Sequence, residues 1–248
     1  MREVVKGIRG NLARAWTRLV PPEQVRVGNV LIRIDPLAMP KSLIRAILRG
    51  DYELPERNAV VRILRTGDRV VEFGGGIGVV SMTAARIAGP GTVHVFEPQP
   101  VACDLIRQNA RLNGLEINCS NVAVASQTGR RTFWSTSNII SSNLFGGRKD
   151  GKGQTSTVEV ETIAIEEILK SHRPNVMIVD IEGAEVEVLG GCDLAGVEVI
   201  VIELHPHIVG DDAIAALEAY LGAQGLTPIA ALHSVDTQVF TRGRQPAS

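Results

Sequence analysis

Residues 70 to 89 read VVEFGGGIGVVSMTAARIAG: a short apolar strand pattern, four glycines within positions 74 to 78, then a stretch of helical spacing. A backbone without side chains at Gly74, Gly75, Gly76 and Gly78, set between a strand and a helix N-terminus, lets N–H groups face a ligand at close range. Chains built this way lay their strands side by side and cover the sheet with helices. No other stretch narrows the fold as far.

The pattern repeats downstream. DRVVEF reads as a strand and GVVSMTAARIA as a helix; GTVHVFE is the next strand, and PVACDLIRQNARLNG a helix stopped by Gly114. INCSNVAVAS reads as a third strand, NVMIVDIE and VEVIVIELHP as two more, with a helix near 184–194 between them. DDAIAALEAYLGAQG is a capped amphipathic helix. LTPIAALHSVDTQVFTR reads as two strands joined through His233-Ser234, too close for a crossover helix, so the last strand runs antiparallel. The expected fold is α/β, a doubly wound and mostly parallel sheet. Upstream, Val5, Ile8, Leu12, Trp16 and Leu19 recur at helical spacing until Pro21-Pro22. VRVGNVLIRI alternates around Gly28-Asn29 as a hairpin, and PKSLIRAILRGDYELPERNAVVRIL reads as two helices broken by Gly50 and Pro55. Residues 1–60 are therefore expected to form a helical and β-hairpin extension, and 61–248 the main domain. The polar segment 135–157 interrupts the alternation between the third and fourth parallel strands, where ligands bind in such sheets; a lid over the ligand, plain disorder and a solvated β-hairpin are the alternative expectations for it.

A net charge of −1 over 248 residues carries no electrostatic argument for nucleic acid. Charge is uneven, however: between Arg2 and Arg49 ten Lys or Arg stand against Glu3, Glu23 and Asp35. The basic N-terminal helix can lie on an anionic membrane surface, but packing on its own domain or on a homodimer partner is the simpler expectation. Cys103, Cys119 and Cys192 are odd in number and lack CxxC spacing, which argues against a disulfide framework or a zinc site. No apolar stretch reaches transmembrane length and no signal-peptide core is visible, so a soluble, cytoplasmic protein is expected.

The acids around the glycine loop discriminate between ligands. A dinucleotide fingerprint needs G-x-G-x-x-G/A, but counting from Gly74 or Gly76 puts Val79 or Ser81 at the last position. Glu97, ending the next strand, suits a ribose in either ligand class. Glu72, two residues before the first glycine, is misplaced beside a pyrophosphate because like charges repel. It suits a ligand carrying an ammonium and a sulfonium, which is S-adenosylmethionine.

VVEFGGGIGVVSM, VHVFEPQP, LIRQNARLNGL, NVAVAS, MIVDIEGAEVEVLGG and VIVIELHP together resemble the FkbM family of S-adenosylmethionine-dependent methyltransferases, over roughly residues 50 to 205. GDYELPE at 50–56 is similar to a Tyr-Glu stretch that often precedes the core there, and DIEGAE is the most specific element. The chain departs from the family in having Glu72 and Gly74-Gly75-Gly76 for Asp followed by Gly-Ala-Asn, and Ile165-Glu166 for a Leu-Asp pair. The resemblance implies a seven-stranded, Rossmann-like class I methyltransferase fold and methylation of hydroxyl groups on sugars or secondary metabolites. It places Glu72 near the methionine amino group, the backbone from Gly74 through Gly76 to Gly78 under the methionine and ribose, and Glu97 on the ribose hydroxyls. Asn121 and Val122 would flank adenine.

Methyl transfer to a hydroxyl needs an aligned nucleophile and a group to take its proton. Asp180, Glu182, Glu203, His205 and His207 end the fourth and fifth strands, and alternation puts Glu203, His205 and His207 on one face if the chain stays extended through Pro206. Asp180 resembles the acid near the transferring methyl in related enzymes. His205 or Asp180 is the expected base, with Glu203 orienting it. Glu182 and Glu185 open a helix, where acids favour the macrodipole; His207 and His233 read as surface or core histidines. Asp180, Glu203 and His205 alternatively form an oxygen-rich set for one divalent cation, but a metal-free base is preferred. An RNA or other macromolecule methyltransferase and a non-catalytic S-adenosylmethionine-binding protein are the competing functions. No Asn-Pro-Pro-Tyr type loop or plausibly placed nucleophilic cysteine favours nucleic acid.

Overall fold

The computed structural model describes residues 22–135 and 156–247. The expected N-terminal helix over Val5 to Leu19, with its dimer contact, and nearly all of the polar 135–157 segment lie outside these residues.

The described chain opens with a hairpin, β1 (Gln24–Val27) and β2 (Val30–Arg33), in which Val27 pairs Val30 across Gly28-Asn29 as the alternation predicts. Helix α1 (Lys41–Arg49) ends on Gly50, and α2 spans Leu54–Ile63. Pro55 stands in the first turn of α2 and starts it rather than breaking a helix, since its missing N–H is unneeded there. Position 60 falls inside α2.

The main sheet follows from the strand–helix alternation. β3 (Val70–Phe73), α3 (Val79–Ala88), β4 (Val93–Phe96), α4 (Pro100–Leu112) and β5 (Asn118–Ser120) build one half. The expected third strand does not run on: it splits, and β6 (Ala123–Ala125) leaves the main sheet. The cause lies between them, where Asn121 Nδ2 donates to the carbonyls of Glu97 and Pro98, both at 2.9 Å, and Val122 N closes a turn on Ser120. β6 pairs with β8 (Ser156–Ala164), which also pairs with β7 (Gly129–Ser135), in a separate three-stranded sheet that the sequence pattern did not announce.

After α5 (Ile165–His172) come β9 (Val176–Val179), α6 (Glu185–Leu189) and β10 (Val199–Glu203). The helix expected near 184–194 is one short element because Gly190-Gly191 ends it. A four-residue helix, α7 (Pro206–Val209), precedes α8 (Asp211–Ala223), whose N-cap is Gly210; Asp211 and Asp212 in its first turn favour the macrodipole, but no side chain caps it. β11 (Thr227–Pro228) and β12 (Thr237–Thr241) close the chain, separated by a 3₁₀ turn over Ala230–Leu232 that keeps β11 to two residues.

The seven strands lie in the order β11-β12-β10-β9-β3-β4-β5. All pairs from β5 to β10 are parallel, and β12 runs antiparallel to both its neighbours, as expected for the closing pair. This is the doubly wound, Rossmann-like fold implied above. Strand order reverses at β3 and β9, which opens a crevice beyond their carboxyl ends. One apolar cluster packs Val71, Phe73 and Met177 under α5, α6 and α8; another packs Val70, Ile178 and Val201 under α2 and α3. The N-terminal hairpin and α1 share a third cluster with Ile77 of the glycine loop and Leu105 of α4, so the extension and the loop are packed as one body. Among the described residues no helix is long and apolar enough to cross a membrane.

Candidate active site

The crevice is a cleft of about 420 Å³ walled by the glycine loop, the strand ends and the α1–α2 turn. Gly74 and Gly76 form its floor, both at positive φ (+82° and +52°). A Cβ at 74 would lie 1.7 Å from the Asp180 carbonyl oxygen, and one at 76 would lie 2.8 Å from the Tyr52 hydroxyl. Only glycine satisfies both the backbone angle and the space. Gly78, at φ +86°, caps α3, whose first turn faces the same loop.

Glu97 follows β4 and is 4% exposed. Its Oε2 accepts from Gly76 N at 3.1 Å and its Oε1 from Gln99 N at 2.8 Å, so it is bound into the loop while lining the cleft. Burial pushes its carboxyl up to about 7, against the pull of those amides. Glu72 is 3% exposed and is not part of the cleft wall. Burial, with Glu53 and Glu97 nearby, holds its carboxyl well above the ordinary range. Ala123 and Val124 line the cleft beyond Glu97, whereas Asn121 and Val122 are not part of its wall. Asn121 is exposed with its amide on local carbonyls, and Val122 packs against an apolar cluster.

At the ends of β9 and β10 the structure gathers Asp180, Glu182, Glu203 and His205. His205 is 5% exposed, and its Nε2 stands 3.7 Å from Glu182, 3.9 Å from Glu203 and 4.0 Å from Asp180. Its Nδ1 lies 2.9 Å from Oε1 of Glu185, a carboxylate with no exposed surface. The same oxygen accepts from Gly183 N at 3.0 Å and Ile181 N at 3.3 Å. Glu185 thus closes the DIEGAE turn, as expected of a structural acid, and also orients the histidine, which the sequence pattern did not indicate. Because a carboxylate only accepts, Nδ1 donates and the neutral ring turns its Nε2 lone pair toward Asp180, Glu182 and Glu203, which line the cleft, while His205 itself stands behind them and is not part of the wall. Burial works against the charged ring, but Glu185 and the surrounding carboxylates outweigh it and the net shift is upward. Burial, then Glu203 and Glu182, holds Asp180 well above the usual range; burial and Glu56 bring Glu203 to about 7.

The alternation expected for Glu203, His205 and His207 is not realised. β10 ends at Glu203, Leu204 N bonds Asp236 O, and Pro206 opens α7, carrying His207 into a helix. The His207 ring centroid stays 5.8 Å from that of His205. His233 packs against Phe240, at 6.3 Å between centroids, and is not part of the cleft wall. One donor atom each from Asp180, Glu203 and His205 lie within 4.8 Å of one another, a spacing that admits a divalent cation.

A glycine cradle at the switch point, an acid beyond the second strand bonded into that cradle, and a DIEGAE turn holding a histidine behind the acids of the same cleft agree with one family, and the match is direct. Residues 72–225 fit the model described as "Methyltransferase FkbM domain". The chain belongs to the FkbM methyltransferase domain family. Among curated relatives, it is 37% identical over 81 residues to the 31-O-demethyl-FK506 methyltransferase FkbM of Streptomyces tacrolimicus, covering 32% of this chain and 31% of that protein. It is 40% identical over 55 residues to the ribosomal protein L11 methyltransferase of Bacillus velezensis, covering 22% of this chain and 17% of that protein. The chain thus spans less than a third of either relative. In structure it is similar to the precorrin-6y C5,15-methyltransferase of Geobacter metallireducens GS-15, at 15% identity and a TM-score of 0.44, covering 84% of this chain and 95% of that one.

Proposed function

We propose that this FkbM-family protein transfers a methyl group from S-adenosylmethionine to a hydroxyl of a small molecule, a sugar or secondary metabolite. The observation that carries the reading is the charge of the cleft. Among the described residues, Glu53 Oε2 and Asp180 Oδ1, both in residues of the cleft wall, are buried without a hydrogen-bond partner beside a cradle made of glycine. Unpaired buried carboxyls are costly, and a cationic ligand relieves them. The residues therefore fit S-adenosylmethionine, with Glu97 on its ribose hydroxyls, Gly74 to Gly78 beneath it, and Ala123 and Val124 beside its adenine. The cofactor supplies an electrophilic methyl on a sulfonium that leaves as a neutral thioether.

What remains for the chain is alignment and one proton. The hydroxyl enters over Asp180 and Glu203, and His205 takes its proton at Nε2 while Glu185 holds Nδ1. An imidazole with a raised pKa is a stronger base than a free one, and a base placed this way contributes about 10²–10⁴-fold. The relative named for 31-O-demethyl-FK506 supports a hydroxyl acceptor; the match to a ribosomal protein methyltransferase supports a macromolecular one.

The test is incubation with S-adenosylmethionine and a panel of sugar and polyketide hydroxyl acceptors, followed by mass for one added methyl. His205→Ala binds cofactor normally and loses about 10²–10⁴-fold in kcat. Activity persists in a chelator. Chelator inactivation reversed by Mg²⁺ replaces the base with a metal at Asp180, Glu203 and His205, and methylation of ribosomal protein alone overturns the small-molecule reading.

A further inference from the structure

The turn between α1 and α2 holds a glutamate in a backbone conformation that suits glycine. Glu53 has φ +49° and ψ +36°, left-handed values that an L side chain adopts at a cost. The surroundings enforce it. Arg57, 5% exposed, donates from Nη2 to Gly50 O at 2.8 Å and from Nε to Tyr52 O at 3.0 Å and Glu53 O at 3.2 Å. A buried guanidinium thus pins the turn that projects Tyr52 and Glu53 over the glycine loop.

Both side chains line the cleft. The Tyr52 hydroxyl donates to the Glu53 carboxylate, while Glu53 Oε2 is buried with no partner. Burial, more than any neighbour, pushes this carboxyl up to about 8. Glu53 Oε1 lies 3.1 Å from where a Cβ of Gly76 would be, whereas Gly76 N points to Glu97. The two acids therefore approach different sides of one glycine. With Glu97 on the ribose, Glu53 faces the other end of the ligand, on the side of Asp180. Glu72, the acid that the strand pattern nominates for that end, lies outside the cleft wall.

We infer that Glu53, steadied by the Tyr52 hydroxyl, is the carboxylate that contacts the ammonium of the cofactor's amino-acid portion. The inference rests on the S-adenosylmethionine reading above. Glu72 then stays behind the loop, outside the wall that the ligand touches. The partial neutralisation of Glu53 by burial has a consequence: an arriving ammonium drives it to ionise, so binding at pH 7 releases protons.

Calorimetric titration of the wild type and Glu53→Gln with three probes tests this. S-adenosylmethionine carries sulfonium and ammonium, S-adenosylhomocysteine only the ammonium, and 5′-methylthioadenosine neither. Glu53→Gln should weaken the first two by about ten- to a hundredfold, the range of a charge-assisted hydrogen bond, and leave the third unchanged. It should also release fewer protons per S-adenosylhomocysteine bound, read from buffers of different ionisation enthalpy. The neutral isostere keeps the shape and removes a buried acid, so an unchanged apo melting temperature checks its fold. Equal losses for all three probes make Glu53 a determinant of cleft shape and overturn the inference. Loss confined to S-adenosylmethionine moves the contact to the sulfonium and overturns it too, as does unchanged affinity throughout. Failure of the wild type to bind any adenosyl probe instead sinks the cofactor reading itself.

Discussion

Gly74 carries φ +82° and its α-carbon backs onto the Asp180 carbonyl, with 1.7 Å for an added methyl. The contact is to backbone, so no side chain can swing away. Gly74→Ala therefore pays about 1–2 kcal/mol for the left-handed angle alone and must also push β9 from β3. We expect a lowered melting temperature and no detectable S-adenosylmethionine binding by calorimetry; wild-type affinity in this variant contradicts the cradle. Glu97 permits a gentler test, since its loss leaves the loop backbone free to find water. Glu97→Ala should weaken S-adenosylmethionine and S-adenosylhomocysteine alike by about tenfold to a hundredfold, corresponding to about 1.5–3 kcal/mol for charge-assisted bonds to ribose. An unchanged dissociation constant in the folded variant removes the ribose assignment.

At the scale of elements, the N-terminal hairpin is held by two asparagines one turn apart, Asn109 in the last turn of α4 and Asn113 at its C-cap. Asn109, with no exposed surface, accepts from Arg33 N at 2.9 Å and donates to Ile77 O at 2.9 Å. Asn113 accepts from Leu31 N at 2.8 Å and donates to Leu31 O at 2.7 Å. These bonds pair the free edge of β2 with a helix where no further strand is available. Ile77 belongs to the glycine loop, so Asn109 ties hairpin, helix and cradle together. Asn109→Ala leaves buried backbone groups unpaired and should cost about 1–3 kcal/mol in urea unfolding. Hydrogen exchange should quicken first at Arg33, whose amide loses its acceptor, while Leu31 stays held by Asn113; uniform exchange rates would show that the apolar cluster alone seats the hairpin.

Across the whole molecule the C-terminal tail is fastened by Arg244, 7% exposed, which bonds Asp68 through Nη1 at 2.6 Å and Nη2 at 2.9 Å and reaches Glu198. Burial alone would raise the Asp68 pKa. The Arg244 bonds, the Arg65 amide and the Asn175 amide more than offset it and hold the group below its ordinary 3.8. A carboxyl depressed in the folded state contributes stability above its unfolded pKa and loses it as pH falls through the folded value. Stability should therefore fall steeply below pH 3.8. Arg244→Ala strands a buried carboxylate and should cost about 3 kcal/mol or more at pH 7. It should also shrink the drop between pH 7 and pH 3 in urea melts. A parallel pH profile in the variant would place the acid sensitivity elsewhere.

Apolar period and glycine placement determined the parallel sheet, its antiparallel last strand, the hairpin at Gly28-Asn29 and the strand–loop–helix at Gly74 to Gly78, because each depends on residues a few positions apart. The same logic put Asp180, Glu203 and His205 near strand ends. It ran one strand through Asn121 and kept Glu203, His205 and His207 in line, since nothing local shows that an amide will bond a carbonyl 24 residues back or that a chain will turn into a helix at Pro206. Tertiary structure alone decided that Ala123–Ala125 join a second sheet, that Cys103 and Cys119 come within 2.9 Å, that Glu185 grips His205, and that Glu53 reaches the cleft. The reason is physical: these contacts join segments whose separation is fixed by strand order and by the packing of whole elements, and periodicity within one segment carries no information about either.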